Sequence, residues 1–146
     1  MASGIDPVAL RAARERAGLT QHQLARLIGV AGGERVSRWE LGTSEPRPDL
    51  LVRLAKALDL PALQLLDIVD ETPDLRALRF AAGLSAVEVA ARVHVSKTTY
   101  QHWESGRWER MPERRNLQGL ARALAVSARA TVAALERSRA LAREDN

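Results

Sequence analysis

The chain has 146 residues, of which 46% are hydrophobic but only 3% aromatic, so its cores must be built from Leu, Val, Ile and Ala. The absence of cysteine excludes disulfides and thiolate metal sites and suits a cytoplasmic protein. No apolar run approaches the roughly 18 residues of a membrane span, and no signal peptide is recognisable. The net charge of +4 comes from residues 71–146, because residues 1–70 hold nine basic and nine acidic residues. This balance is compatible with nucleic acid.

Helical spacing of apolar residues predicts five helices in the first half of the chain. The first begins at Asp6-Pro7, where Asp caps the free N–H groups and Pro fits the first helical position, and it ends at Gly18. The capping-box pattern from Thr20 to Gln23 begins the second helix, which ends at Gly29. The buried face predicted for this second helix consists of Leu24, Leu27 and Ile28.

The third helix is expected from about Glu34 to Leu41 and the fourth around Leu50 to Leu58. Pro61 is expected to begin a fifth helix, whose apolar residues are Leu63, Leu66 and Val69. Thr72 then caps a new helix with Pro73 in its first position. The connection left between the halves is about three residues, which should restrict their relative angles.

The second half repeats the first. Residues 10–20 return as residues 75–85 at an offset of 65, and residues 36–42 return as residues 100–106 at an offset of 64. A repeat of this length is too long for a solenoid unit and has the size of a small domain. Ser85 to Glu88 forms a capping box, and Ser96 is expected to cap the third helix of this copy, from Lys97 to Ser105.

The last helix is expected from about Ala128 onwards, with an apolar stripe of Val132, Leu135 and Leu141. It runs past the end of the first copy's fifth helix, so its far end is expected to lack a core of its own. The stripe is therefore interpreted either as core or as the seam of a homodimer. Trp108, in the loop before the fourth helix of this copy, is expected to be partly buried rather than stacked on a partner.

Both copies carry the same ordered motif. The first contains Thr20-Gln21, Leu24-Ala25, Gly29-Val30, Val36-Ser37 and Trp39-Glu40-x-Gly42. The second contains Leu84-Ser85, Val89-Ala90, Val95-Ser96 and Trp103-Glu104-x-Gly106. This set resembles the lambda-repressor-like, or xenobiotic-response-element type, helix-turn-helix family. The resemblance implies an all-α fold with two tandem five-helix helix-turn-helix domains, residues 1–70 and residues 71–146.

The resemblance also implies a DNA-contacting surface in each copy, with the third helix in the major groove and the second helix's N-terminus on phosphate. In the second copy the matching base and phosphate positions are Ser96, Lys97, Thr98, Gln101 and His102. In the first copy they are Gln21, Glu34, Arg35, Ser37 and Arg38. The loop arginines implied at phosphate or the minor groove are Arg47, Arg107 and Arg110. Structural ion pairs are implied between Arg14 and Glu40 and between Arg79 and Glu104.

Each copy departs from the family's pattern. The first has one extra residue between Val30 and Val36, which predicts a lengthened turn and a late start of the third helix. The second has Ala86 where the first has Gln21, so that side chain cannot hydrogen-bond a phosphate. It also has Tyr100 where the family has a small β-branched residue.

The sequence offers no catalytic signal. The three histidines share no ligand spacing, and there is no nucleophile elbow or phosphate-cradling glycine loop. We therefore expect neither an enzyme nor a metal site, and neither a cofactor nor a small-molecule ligand is indicated.

These observations predict a sequence-specific regulator of transcription that binds double-stranded DNA, and by resemblance a repressor that occludes promoters. The Ala and Arg richness is typical of bacteria of high GC content. A monomer with two unlike recognition helices predicts an asymmetric operator, with half-sites roughly 34 Å apart. A homodimer through the last helix predicts a palindrome instead.

The alternative is a protein-interaction module such as an antitoxin, in which one copy serves docking or dimerisation. The irregular turn and the zero net charge favour this alternative for residues 1–70.

Overall fold

The computed structural model describes residues 4–145, apart from the side chain of Val69, and the described chain is helical as predicted. The first half contains α1 (Pro7–Arg16), α2 (Gln21–Ile28), α3 (Glu34–Leu41) and α4 (Pro48–Ala57). The second contains α5 (Leu75–Ala81), α6 (Ala86–Val93), α7 (Lys97–Glu104), α8 (Arg114–Leu124) and α9 (Ala128–Glu144). The β-structure of residues 4–145 is an isolated bridge between Ile5 and Leu66.

The predicted caps of α1, α2 and α6 are present. Asp6 accepts hydrogen bonds from the backbone N–H groups of the first turn of α1. Thr20 and Gln23 form a reciprocal capping box at α2, and Ser85 and Glu88 form the same box at α6. These local hydrogen bonds satisfy N–H groups that a helix leaves unpaired, which is why short sequence patterns located the helix starts.

The two capping boxes differ in their response to acid. The backbone and hydroxyl hydrogen bonds of Ser85 lower the pKa of Glu88, so folding favours its ionised form. The contribution of Glu88 to stability is therefore present above the unfolded pKa and lost as pH falls through the lower folded value. We expect Glu88→Gln to keep the cap, as Gln23 does in the first copy, and to flatten the fall in melting temperature between about pH 5 and pH 3. An unchanged pH profile in thermal denaturation would contradict this.

The fifth helix predicted for the first copy is wrong. Ala62–Leu65 form one short 3-10 turn, and Leu66 is already extended. The chain there pairs with the N-terminal segment, because the N–H of Asp6 donates to the carbonyl of Leu65 at 2.8 Å. The predicted apolar role of Val69 falls on a side chain outside the described structure.

The predicted start of α5 also needs correction. Thr72 and Pro73 precede the helix, and Asp74 is the N-cap, accepting a hydrogen bond from the N–H of Ala77 at 3.0 Å. Asp74 is 1% exposed. The helix dipole favours the carboxylate of Asp74 as the cap, whereas the Thr72 hydroxyl donates to the carbonyl of Asp70 at 3.3 Å.

Two aliphatic cores organise the chain. The first is centred on α1 to α4, with Leu24, Val36, Leu51 and Leu54 at 0% exposure. The second gathers residues of α5 to α9 around Tyr100 and Leu120. The prediction that Leu27 is buried is wrong, since it is 61% exposed. Its position on α2 faces away from α3 and α4, the helices that α2 packs against.

The two halves pack directly on each other. Ala77 and Phe80 belong to α5 in sequence but are buried in the first core, against α4 and the 3-10 turn. Arg76 stacks on the ring of Phe80 at 4.4 Å and pairs with Glu45 of the first half at 3.0 Å. The short connection is thus reinforced by an apolar contact that restrains the relative orientation of the copies.

The expectation that the far end of α9 lacks a core is wrong. Leu141 is 7% exposed and Ser138 is 3% exposed. The Ser138 hydroxyl accepts a hydrogen bond from the N–H of Leu75 at 3.0 Å, and α9 also packs against α7. The apolar stripe of α9, which the sequence left open as core or dimer seam, is therefore buried within the chain, although Val132 is only half-buried.

Candidate nucleic-acid interface

An arginine–glutamate pair links the first helix of each copy to the end of its third helix. Arg14 donates to both carboxylate oxygens of Glu40 at 2.6 and 2.9 Å, and Arg79 donates to both of Glu104 at 2.8 Å. Each guanidinium also donates to a backbone carbonyl, that of Leu19 or Leu84. Burial alone would lower the pKa of Arg79, but the hydrogen bond and charge of Glu104 raise it. These bidentate pairs hold α3 and α7 against their domains.

The side chains around this ion pair differ between the two copies. In the first copy, the Gln21 amide donates to Glu40 at 3.1 Å. The side chain that the family resemblance assigns to phosphate binding therefore contacts a carboxylate of its own domain. In the second, Ala86 offers no amide, and Tyr100 stands where the first copy has Val36. Burial raises the pKa of Tyr100 far above its ordinary value, and the nearby charge of Glu104 raises it further. Among the described residues the buried Tyr100 hydroxyl has no hydrogen-bond partner, so Tyr100 does not replace the glutamine hydrogen bond.

The surface of α7 presents the predicted base-contacting residues of the second copy to solvent. Ser96 caps the helix through the N–H of Thr99 at 3.0 Å, so α7 begins in a defined place. The exposed side chains are those of Ser96, Lys97, Thr98, Gln101 and His102. Tyr100 and Trp103 face the core and meet edge to face with centroids 6.4 Å apart. Helical spacing thus places the predicted base-contacting residues on one face of α7 and the residues packed in the core on the other.

The surface of α3 gathers four of the predicted residues in the first copy. An open depression of about 520 Å³ is lined by Gln21, Glu34, Ser37 and Arg38, together with His22 and Gly33. The helix begins at Glu34, and its N-cap, Gly33, makes no side-chain cap. A Cβ at Gly33 would lie 3.0 Å from the backbone nitrogen of His22, so the extra turn residue passes close to the start of α2.

The remaining predicted residues surround these helices. Arg35 is exposed and stacks over the ring of Trp39 at 5.6 Å, an i, i+4 contact that helical spacing alone could have suggested. Arg47 is exposed at the start of α4.

Arg107 and Arg110 are exposed in the loop between α7 and α8, whereas Trp108 is only 8% exposed. Sequence reasoning missed Arg139, which stacks on Trp108 at 4.2 Å, because the contact spans 31 positions with no local signal.

A helix-turn-helix family model matches the chain twice, over residues 10–65 and residues 75–131. The chain belongs to the lambda-repressor-like helix-turn-helix family. The two matched regions cover most of the chain and coincide with the helices that carry both candidate surfaces. Comparisons with curated proteins and with solved structures returned no match.

Membership of this helix-turn-helix family makes the chain a DNA-binding regulator of the xenobiotic-response-element type. No helix in residues 4–145 is both long and apolar enough to cross a membrane. Within the same residues, no group of three His, Cys, Asp or Glu side chains is placed to hold a metal ion. The candidate site is a surface of exposed polar and basic side chains on α3 and α7.

Proposed function

We propose that this helix-turn-helix protein is a transcriptional repressor that covers promoter DNA, with α7 as its main reading helix. The observation that carries this proposal is the contrast between the two third helices. The α7 helix is capped by Ser96 and exposes Lys97 and Gln101, whereas α3 begins without a side-chain cap after a lengthened turn. Lys and Gln can read purine edges in the major groove through their donors and acceptors.

Two helix-turn-helix domains, residues 1–70 and residues 71–146, are proposed to bind DNA as one body. The contact between them joins α5 to α4 and to the 3-10 turn. A two-fold relation would require the reciprocal contact of α1 with α8 or α9, and the described residues make no comparable contact there. This head-to-tail packing supports an asymmetric operator for a single chain.

Selection of bound duplexes from a random library, at about 0.15 M salt to suppress the non-specific phosphate term, tests the proposal. We expect an enriched motif whose halves differ. A palindromic motif would favour the homodimer over the tandem monomer. No enrichment, with only weak salt-sensitive binding, would contradict sequence-specific recognition.

Substitutions on α7 and in the following loop should affect binding in different ways. Lys97→Ala and Gln101→Ala are each expected to cost about 1–3 kcal/mol on the preferred site and to relax preference at one base position. Arg110→Ala is expected to weaken binding to all sequences alike and to reduce the salt slope by about one unit. Affinities on the selected site and on a scrambled duplex, measured over a salt series, separate the two classes. Equal loss on both duplexes for Lys97→Ala would argue against base reading by this residue.

The alternative function is protein docking by the first copy. It is favoured by large apolar side chains left exposed there, because Val8 is 78% exposed, Leu41 is 73% exposed and Leu27 is 61% exposed. Isolated exposed apolar residues are common on soluble proteins, so this observation is weaker than the capped α7 surface. If library selection fails, capture of a partner that Leu41→Ser abolishes would support the docking function.

A further inference from the structure

A cleft lies between the loop after α7 and the last turns of α9, apart from the helix faces assigned to base reading. Its volume is about 410 Å³, within the range of small-ligand sites. The walls are formed by Gly106, Arg107 and Trp108 on one side and by Arg139, Arg143 and Asp145 on the other. Because α9 extends well beyond the first copy's 3-10 turn, the cleft has no counterpart in the first copy.

The two walls are held together closely. Gly106 has a φ of +76°, and a Cβ there would collide with the carbonyl oxygen of Ser138 on α9. Ser138 is in turn hydrogen-bonded to the start of α5. The backbone of the cleft is therefore preorganised, which lowers the cost of ordering a bound ligand.

The cleft carries excess positive charge. Three guanidinium groups, those of Arg107, Arg139 and Arg143, stand against the single carboxylate of Asp145 among the described lining residues. None of the three arginines forms an ion pair with a carboxylate of residues 4–145. The C-terminal ends of α7 and α9 offset about half a charge each, so a net positive charge remains after both are counted.

Trp108 adds an aromatic ring to this wall. It is 8% exposed, and its indole Nε1 is buried without a hydrogen-bond partner in the described structure. The guanidinium of Arg139 stacks on the same ring at 4.2 Å. This contact restrains the orientation of the guanidinium group.

We propose that this cleft binds a phosphate group, held by the guanidinium forks of Arg139 and Arg143 with Arg107 at the rim. Guanidinium forks match the paired oxygens of phosphate, and the negative charge of the phosphate is attracted by the excess positive charge. The phosphate belongs either to a small organic phosphate or to a DNA backbone outside the base-reading face. The assignment to a DNA backbone phosphate rests on the proposed function, whereas the assignment of the cleft as a phosphate site does not.

The test follows the indole N–H signals of the ¹⁵N-labelled full chain by NMR during titration with inorganic phosphate, at constant ionic strength set by sodium chloride. Trp108→Phe assigns the signal of Trp108, leaving those of Trp39 and Trp103. We expect the Trp108 signal to shift with saturation while the other two stay. Arg143→Gln should weaken binding by about tenfold or more. Arg139→Gln should do the same, and Arg129→Gln, an exposed arginine at the start of α9, should not.

Each outcome separates the two phosphate sources or overturns the site. A saturating shift with inorganic phosphate that duplex DNA neither reproduces nor displaces supports a small organic phosphate. A shift produced only by duplex DNA, and weakened by Arg143→Gln but not by Arg129→Gln, supports a backbone phosphate. No shift with either probe, or an equal shift with chloride alone, would overturn the site. Loss of DNA reading by Lys97→Ala with an unchanged phosphate titration would show that the cleft and the reading face are independent.

Discussion

Replacing Glu104 by alanine is expected to lower the free energy of unfolding by about 3–5 kcal/mol. The side chains of Arg79 and Glu104 are 10% and 14% exposed, so removal of the carboxylate leaves a poorly hydrated guanidinium without its partner. The carbonyl of Leu84 still accepts one hydrogen bond from Arg79, but it cannot neutralise the charge. Urea unfolding, followed by circular dichroism, measures the loss.

The exposed pair of Arg11 and Glu15 provides the matched control. These side chains are 66% and 56% exposed, and their N–O distance is 2.9 Å. Glu15→Ala is expected to cost less than about 1 kcal/mol, because water already screens this pair. A similar small cost for Glu104→Ala would show that the ion pair does not anchor α7.

Replacing Phe80 by alanine is expected to remove about 3–5 kcal/mol and to uncouple the two halves of the chain. Phe80 lies on α5 but is buried in the first core, where it is 7% exposed. Arg76 and Arg79 stack on its ring at 4.4 and 4.9 Å, so the truncation also removes two cation–π contacts. We expect one cooperative unfolding transition in the parent and two in Phe80→Ala, as measured by calorimetry.

Leu84→Ala controls for loss of stability alone. Leu84 is 6% exposed and packs in the second core. Its truncation should lower the stability of the second half by about 2–5 kcal/mol without removing the contact between halves. Two separated transitions in Phe80→Ala together with a single one in Leu84→Ala would assign the coupling to the α4–α5 contact. The reverse pattern would refute that assignment.

These predictions depend on contacts, only some of which could be predicted from the sequence. The ion pairs could be predicted, because the family resemblance implies them and the repeat places Arg14 with Arg79 and Glu40 with Glu104 at matching positions. The coupling through Phe80 could not, because a phenylalanine at helical spacing does not reveal which of two neighbouring cores will bury it. Ala86 and Tyr100 are visible in the sequence only as two separate departures from the family's pattern.

Most of the local elements of this protein can be read from its sequence. Caps such as Asp6, Ser85 and Ser96, and left-handed stops such as Gly29, act within one helical turn, so their effect is readable from a few neighbouring residues. The twofold repeat of these signals was enough to predict the helical class and the helix-turn-helix family.

Long-range packing, in contrast, determines which face of each element is buried. Leu27 and Leu141 carry the same kind of apolar side chain at helical spacing, yet one is exposed and the other buried. The difference depends on which helix lies opposite, a choice made by contacts between residues far apart in the chain. The same long-range packing shortened the fifth element of the first copy to a 3-10 turn, placed Phe80 in the first core and brought Arg139 onto Trp108. Burial free energy depends on all surfaces that meet, and no local pattern contains that information.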